Sequence, residues 1–260
     1  MILDELAAHA RERVAAARAR VPLEEIRARA EALPRGDFRF EKAIAGKGTA
    51  FICEIKKASP SRGVIDPQFD YIGIAGQYEE VGADCISVLT EPKWFLGSDE
   101  IFRAVRLTVD APMLRKDFTV DAYQIYEARV LGADAVLLIC ALLDTGTLRE
   151  YLAICDRLGL SALVETHDEA EMQSAVAAGA RLIGVNNRNL RDFSVDLGNA
   201  ARLRAGAPEG TIFVAESGVS CPEDAAKLRQ AGADAILVGE YLMRSPDKQG
   251  ALQALREAAK

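Results

Sequence analysis

One short phrase recurs four times along the chain: VGADCISVL from Val81, LGADAVLLI from Leu131, AGARLIGVN from Ala178 and AGADAILVG from Ala231. The glycines Gly82, Gly132, Gly179 and Gly232 lie 50, 47 and 53 residues apart. Repeats at such spacing constrain architecture before any other feature. Each copy follows an amphipathic run, turns on its glycine and opens an apolar stretch of strand length, as a helix ending at glycine and feeding a buried parallel strand would. Four further apolar runs fall between the copies, at Ala50–Lys56, Ala111–Lys116, Ala162–Glu165 and Thr211–Glu216. Eight strands alternating with helices predict a (β/α)₈ TIM barrel in the α/β class. In such a barrel, chemistry belongs at the C-terminal ends of the strands.

An open doubly wound sheet would instead place a glycine-rich phosphate fingerprint after its first strand. Here that strand runs into KKASPSRG, with a single glycine at Gly63. The chain of 260 residues is long enough for a large core, and half of it is apolar. A net charge of −7 argues against nucleic acid or an anionic membrane surface as partner. No apolar stretch approaches the roughly 20 residues that span a bilayer. Asp4 and Glu5 leave no room for a secretory apolar segment, and residues 1–31 balance acids with arginines, unlike a transit peptide. Five widely spaced cysteines, with Cys53, Cys85 and Cys140 inside predicted strands, suit a reducing cytoplasm.

The reading is therefore one domain: residues 1–46 as an N-terminal helical extension and 47–245 as the barrel. In the extension, Leu3, Leu6, Ala10, Val14, Ala17 and Val21 form one apolar stripe. A second helix follows Pro22 with Leu23, Ile26, Ala30 and Leu33, and Phe38 to Lys47 reads as a polar connector. These helices either plug the underside or flank of the barrel or form a lid over its catalytic face. The connector is long enough to reach, which favours the lid.

Side chains alternate faces along a strand. In FICEIKK, Ile52, Glu54 and Lys56 share one side, which puts an ion pair at the top of the barrel. Lys116 shares a side with Leu114, and Glu165 with Leu163. Asn186, Arg188, Glu216 and Ser217 follow the sixth and seventh strands, and Thr90 follows the second. The fourth is the exception, running apolar through Cys140-Ala141-Leu142-Leu143. Lys57, Lys93 and Arg115 read as solvated charges. A lone charge past a strand is unremarkable, but six strand ends finishing in polar groups on one face mark a site.

Metal is disfavoured: His9 and His167 are the only histidines and have no ligand spacing around them. No cysteine–histidine pair, nucleophile elbow or nucleotide motif appears. The remaining ammonium, carboxylate, amide and hydroxyl groups suit acid–base work on a carbonyl compound. Gly218 and Gly239, after strands seven and eight, stand where barrels bind phosphate, and Ser59 and Ser61 could add hydroxyl donors.

The segments EIKKASPSRG (54–63), SVLTEPKWFLGS (87–98), LRKDF (114–118), LVETHDEAEM (163–172), IGVNNRNL (183–190), AESGVS (215–220) and ILVGEYLMR (236–244) resemble the indole-3-glycerol phosphate synthase family. The resemblance runs in order from about residue 40 to 245. It implies a carboxy-lyase of tryptophan biosynthesis that needs no cofactor or metal. The reaction closes a ring on 1-(2-carboxyphenylamino)-1-deoxy-D-ribulose 5-phosphate, with decarboxylation and dehydration, to give indole-3-glycerol phosphate. By motif, Lys116 resembles the general acid for ring closure, aided by Lys56. Glu165 resembles the base or proton shuttle of dehydration, with Asn186 nearby. Glu54, Glu216 and Ser217 resemble substrate-positioning groups. Ser59, Gly218, Gly239 and Glu240 fall in phosphate-binding segments, and Arg188, Phe95 and Phe118 resemble an anthranilate pocket. The chain departs from the family at Tyr241, where a small hydroxyl residue is usual, and at Trp94, where tyrosine is common. The partners expected are a phosphorylated small molecule and, at most, further copies of the chain, as monomer or homo-oligomer. Two rivals stand beside this reading: a lysine Schiff-base aldolase on a phosphate-binding barrel, and a non-catalytic barrel that binds a sugar phosphate.

Overall fold

A computed structural model describes residues 2–46 and 48–260. Eight parallel strands close into a barrel: β1 (Ala50–Ile55), β2 (Cys85–Leu89), β3 (Met113–Lys116), β4 (Ala135–Ile139), β5 (Ser161–Thr166), β6 (Leu182–Asn186), β7 (Ile212–Glu216) and β8 (Ala235–Val238). Each strand pairs with its neighbours in sequence. Closure comes from β1 pairing β8, with Ala50 opposite Ala235, while Ile52 faces Cys85 on β2. The expected barrel is therefore observed. One strand end differs: β4 stops at Ile139, so Cys140 lies in the turn beyond it rather than in the strand.

Parity divides every strand. Ile52, Cys85, Leu114, Leu137, Leu163, Leu182, Val214 and Leu237 fill the interior, while Phe51, Cys53, Ile86, Val136, Val164, Ile183 and Phe213 pack outward beneath the helices. Both faces of each strand are thus buried, as parallel strands require.

The recurring phrase has a mechanical explanation. Gly82, Gly132, Gly179 and Gly232 all adopt positive φ, the conformation that ends a helix and that β-carbon-bearing residues resist. In three of the four copies an aspartate two residues later ties down a neighbouring strand; the copy at Gly179 has Arg181 there. Asp84 accepts the N–H of Phe51 at 2.9 Å, Asp134 that of Met113 at 2.9 Å, and Asp234 that of Phe213 at 2.8 Å. These bonds lie at the N-terminal end of the barrel, where they satisfy donors at the first or second residue of a strand.

The outer layer comprises α4 to α10, spanning Tyr71–Glu80, Asp99–Thr108, Ala122–Leu131, Thr145–Leu158, Glu169–Ala178, Gly198–Arg204 and Pro222–Gln230, then α11 (Glu240–Arg244) and α12 (Lys248–Ala258). Aspartate or serine side chains cap several of them: Asp70, Ser98, Asp121, Asp144 and Asp168 each accept a first-turn N–H.

The extension divides between both alternatives. Helix α1 (Ile2–Arg20) lies over the catalytic mouth, and Ile2, Leu3 and Leu6 line its cavity. Helix α2 (Leu23–Glu31) packs on α6 at the flank. The polar connector expected over Phe38 to Lys47 instead contains α3 (Arg39–Ile44), whose Phe40 and Ile44 are fully buried in the interior cluster. Arg39, Glu41 and Lys42 give this segment its polar appearance, but Phe40 and Ile44 are four apart and share one helical face. That face plugs the barrel floor. Lys47, the end of the expected connector, lies outside the described residues.

Candidate active site

A cavity of about 820 Å³ opens at the C-terminal ends of the strands. Glu54, Lys56, Ser59, Phe95, Lys116, Phe118, Glu165, Asn186, Arg188, Glu216, Ser217, Gly218, Gly239 and Glu240 all line it. These residues singled out from sequence thus meet at one rim, within the size range of small-molecule sites, whereas Thr90, also singled out, is buried away from the cavity and donates to Asp117 Oδ2 at 2.6 Å.

Five charged side chains project inward by strand parity. Lys56 donates to Glu54 Oε1 at 2.6 Å. Lys116 Nζ sits between two carboxylates, 3.4 Å from Glu216 Oε2 and 3.7 Å from Glu165 Oε2. Burial works against the Lys116 ammonium, but Glu216, Glu165 and Glu54 outweigh it and raise its pKa above the ordinary lysine value.

The two carboxylates on Lys116 are driven apart. Burial alone would raise Glu165, yet Lys116, His167 and a hydrogen bond from Asn186 pull it well below the usual carboxylate range. Glu216 moves the other way. Its burial dominates, Lys116 offsets only part of it, and Glu165 and Glu54 add repulsion. Neither Glu216 oxygen has a hydrogen-bond partner of good geometry. The site therefore sets a carboxylate favoured in its ionised form, a carboxyl that holds its proton more tightly than usual and an ammonium side by side, the division acid–base chemistry needs.

Two glycines make room for these charges. A β-carbon on Gly239 would stand 2.4 Å from Glu54 Oε1 and 2.9 Å from Lys56 Nζ. One on Gly184, inward-facing on β6, would stand 2.1 Å from Glu216 Oε1. Gly184 escaped the sequence reading, although glycine inside a strand is itself a sign of close approach. Beyond β7, Ser217 takes a left-handed φ of 66°, a strained conformation held at the cavity wall.

The aromatic wall is set by a buried acid. Glu91 accepts N–H bonds from Lys93, Trp94 and Phe95 at 3.0, 2.8 and 3.1 Å, which fixes the loop after β2. Phe95 then meets Phe118 with ring centroids 6.0 Å apart. Arg188 bounds the same cavity and donates to Phe193 O at 3.1 Å. Glu240 at the start of α11 pairs with Arg62 at 3.2 Å and with Arg244 at 3.0 Å.

Arg115 contradicts its reading as a solvated charge. It is 4% exposed and pairs with Asp99 and Glu127, each at 2.8 Å. Parity sends it outward, but α5 and α6 cover it there and supply both acids. Also missed were the residues that hold α1 down. Arg13 grips Asp117 through two bonds of 3.0 and 2.6 Å, His9 Nδ1 lies 3.1 Å from Glu91, and Arg18 pairs with Asp121 at 2.7 Å. These pairs are about a hundred residues apart in sequence, so no local pattern announces them.

Among the described residues, no group of three or more His, Cys, Asp or Glu side chains is arranged to hold a metal ion. Nor is any helix there long and apolar enough to cross a membrane.

Comparison with known proteins gives one family. The family model for indole-3-glycerol phosphate synthase matches residues 3–255. The indole-3-glycerol phosphate synthase of Ruminiclostridium cellulolyticum is 54% identical over 260 residues, covering all of both chains. That of Endomicrobium trichonymphae is 46% identical, covering 99% of this chain and all of the relative. Among solved structures, a 3-hexulose-6-phosphate synthase superposes with a TM-score of 0.63 at 18% identity, covering 81% of this chain and 99% of its own. That likeness speaks to the fold alone.

Proposed function

The chain belongs to the indole-3-glycerol phosphate synthase family, and on that premise we propose how its cavity carries out the family's reaction. The substrate is 1-(2-carboxyphenylamino)-1-deoxy-D-ribulose 5-phosphate, and the products are indole-3-glycerol phosphate, carbon dioxide and water. The observation that carries the assignment is the position of Lys116, an ammonium held between Glu165 and Glu216 in a chain that the family model matches over residues 3–255.

Lys116 protonates the ketone oxygen as the carboxylate-bearing ring carbon attacks the ketone carbon, closing the five-membered ring. Carbon dioxide then leaves that ring carbon, and its bonding electrons restore the aromatic ring. Dehydration follows: the new hydroxyl takes a second proton from a rim ammonium and leaves as water, while Glu165 takes a proton from the adjacent methylene. An acid and a base placed across one ring contribute about 10² to 10⁴ each to such steps. Lys56, tied to Glu54, assists Lys116, and Asn186 steadies Glu165. Glu216 and Ser217 position the substrate. Phe95, Phe118 and Arg188 take the carboxyphenyl end, the guanidinium facing the carboxylate. Ser59 and the backbone N–H groups around Gly218, Gly239 and Glu240 take the phosphate, in the region where such barrels bind it. Tyr241 also borders the cavity, so its phenol stands where the family's small hydroxyl would serve. The five free cysteines, three of them buried, suit the reducing cytoplasm in which we place the enzyme.

The raised Lys116 disfavours the neutral amine a Schiff base needs. Incubation with the carboxyphenylamino ribulose phosphate tests the reading. Indole fluorescence should appear with carbon dioxide released in equal amount, and borohydride should trap no adduct. Tight binding without turnover, or a trapped lysine adduct, would sink it.

A further inference from the structure

His167 follows the strand that carries Glu165, and it has so far been given no task. Its imidazole lies between two carboxylates: Nδ1 is hydrogen-bonded to Glu171 Oε2 at 3.0 Å in the first turn of α8, and Nε2 is 3.3 Å from Glu165 Oε1, an ion-pair approach without hydrogen-bond geometry. The backbone on both sides fixes it further. The His167 N–H donates to the same Glu171 oxygen at 2.8 Å, and its carbonyl accepts from Asn199 of α9 at 3.1 Å. His167 itself does not line the cavity, whereas Glu165 does. An imidazole facing a carboxylate at each nitrogen satisfies both only by donating twice, which requires the imidazolium.

We propose that His167 is a positioning residue for the catalytic base: bridged to Glu171, it holds Oε1 of Glu165 and leaves Oε2 to face Lys116 and the substrate. This inference rests on the reading of Glu165 as the base of dehydration. It also answers a difficulty in that reading, because a carboxylate held by two cations is a weak base. Once Lys116 turns toward the substrate oxygen, one cation is withdrawn and the proton affinity of Glu165 rises. His167 remains, keeps the carboxylate oriented and sets how far that rise goes. Glu171 balances the imidazolium, so the pair adds orientation without adding net positive charge to the rim.

The surroundings agree. The charged groups facing His167 are Glu165 from β5 and Glu171 from α8, while α9 offers the uncharged Asn199. Burial would lower the imidazole, but the two carboxylates raise it to about 10. Cys140, after β4, is pushed up to about 12 by burial and then by Glu171 and Glu165, and stays a neutral thiol.

Only one other histidine, His9, is present, so the imidazole resonances of His167 can be assigned with the single variant H9N. In the free protein, His167 should remain doubly protonated from about pH 6 to about pH 9, whereas titration near the ordinary value of about 6.5 would overturn the proposal. Kinetics give the second readout. In H167N, kcat should fall about 10- to 100-fold with KM changed less than about threefold, and the acid limb of kcat/KM should move to higher pH as Glu165 loses a cation. E171Q keeps an acceptor for both His167 donors but leaves the imidazolium unbalanced, so it should shift the limb in the opposite direction, to lower pH, and by less. It also serves where H167N folds poorly. Active wild-type enzyme with kcat and acid limb unmoved in both variants would overturn this inference alone. Wild-type protein that fails to turn over the substrate would instead overturn the function on which it rests.

Discussion

At the scale of single residues, the site is built as much by two missing β-carbons as by its charges. G239A must displace the Glu54–Lys56 pair, and G184A must displace Glu216, since each new carbon would fall within 2.5 Å of a carboxylate oxygen. Both variants should keep the fold, because the displaced atoms are the far ends of side chains, yet lose kcat by about tenfold or more. Circular dichroism paired with steady-state kinetics checks this. The divergent carboxylates give a pH prediction. Glu165 is depressed in the folded protein, so its stabilising contribution is present above the unfolded value of about 4.3 and disappears as pH falls through its lower folded value. The stability advantage of wild type over E165Q, measured by denaturant titration, should therefore be largest near neutrality and shrink below about pH 4. Lys116 and Glu165 were legible because parity directs them inward, and Glu216 because it ends the seventh strand. Arg115 was misread because parity cannot say what covers an outward face. His167 was overlooked although it shares parity with Glu165 and has Glu171 four residues on, a pairing visible in the sequence once the strand end is known.

At the scale of elements, the N-terminal helices show what periodicity can and cannot reveal. The stripe on α1 was plain, but its destination was not, since Arg13, His9 and Arg18 meet partners far along the chain. Removing Arg13 leaves Asp117 buried with only Thr90, a backbone N–H and a distant Arg115. R13A should cost about 1–3 kcal/mol and raise KM more than it lowers kcat, because Leu3 and Leu6 on the same helix line the cavity. Helix α3 was hidden by its charged residues, and its importance lies in Phe40, which is fully buried under the barrel. F40A should destabilise by about 3–5 kcal/mol in thermal or denaturant unfolding while leaving KM nearly unchanged, since the plug lies at the end away from the chemistry.

At the scale of the whole molecule, the two ends of the barrel do different work. The N-terminal end carries Asp84, Asp134, Asp234 and the α3 plug, and the C-terminal end carries the charged rim and the helix α1 that lies over it. The fourfold phrase maps onto this division: its glycines, and the aspartate that three copies carry, lie at the N-terminal end, and its strands run from there to the cavity rim. D234A should lower stability by about 1–3 kcal/mol and leave kcat within about twofold of wild type, the reverse of what an equally buried acid at the rim would do. Closure of the strands is what brings Lys116 of β3 between Glu165 of β5 and Glu216 of β7. The most direct measurement is therefore made on K116A, comparing equilibrium binding of the carboxyphenylamino ribulose phosphate with indole formation from it. Retained binding with product formation reduced by at least about a thousandfold is the predicted result. Turnover at the wild-type rate would mean that the proton comes from elsewhere.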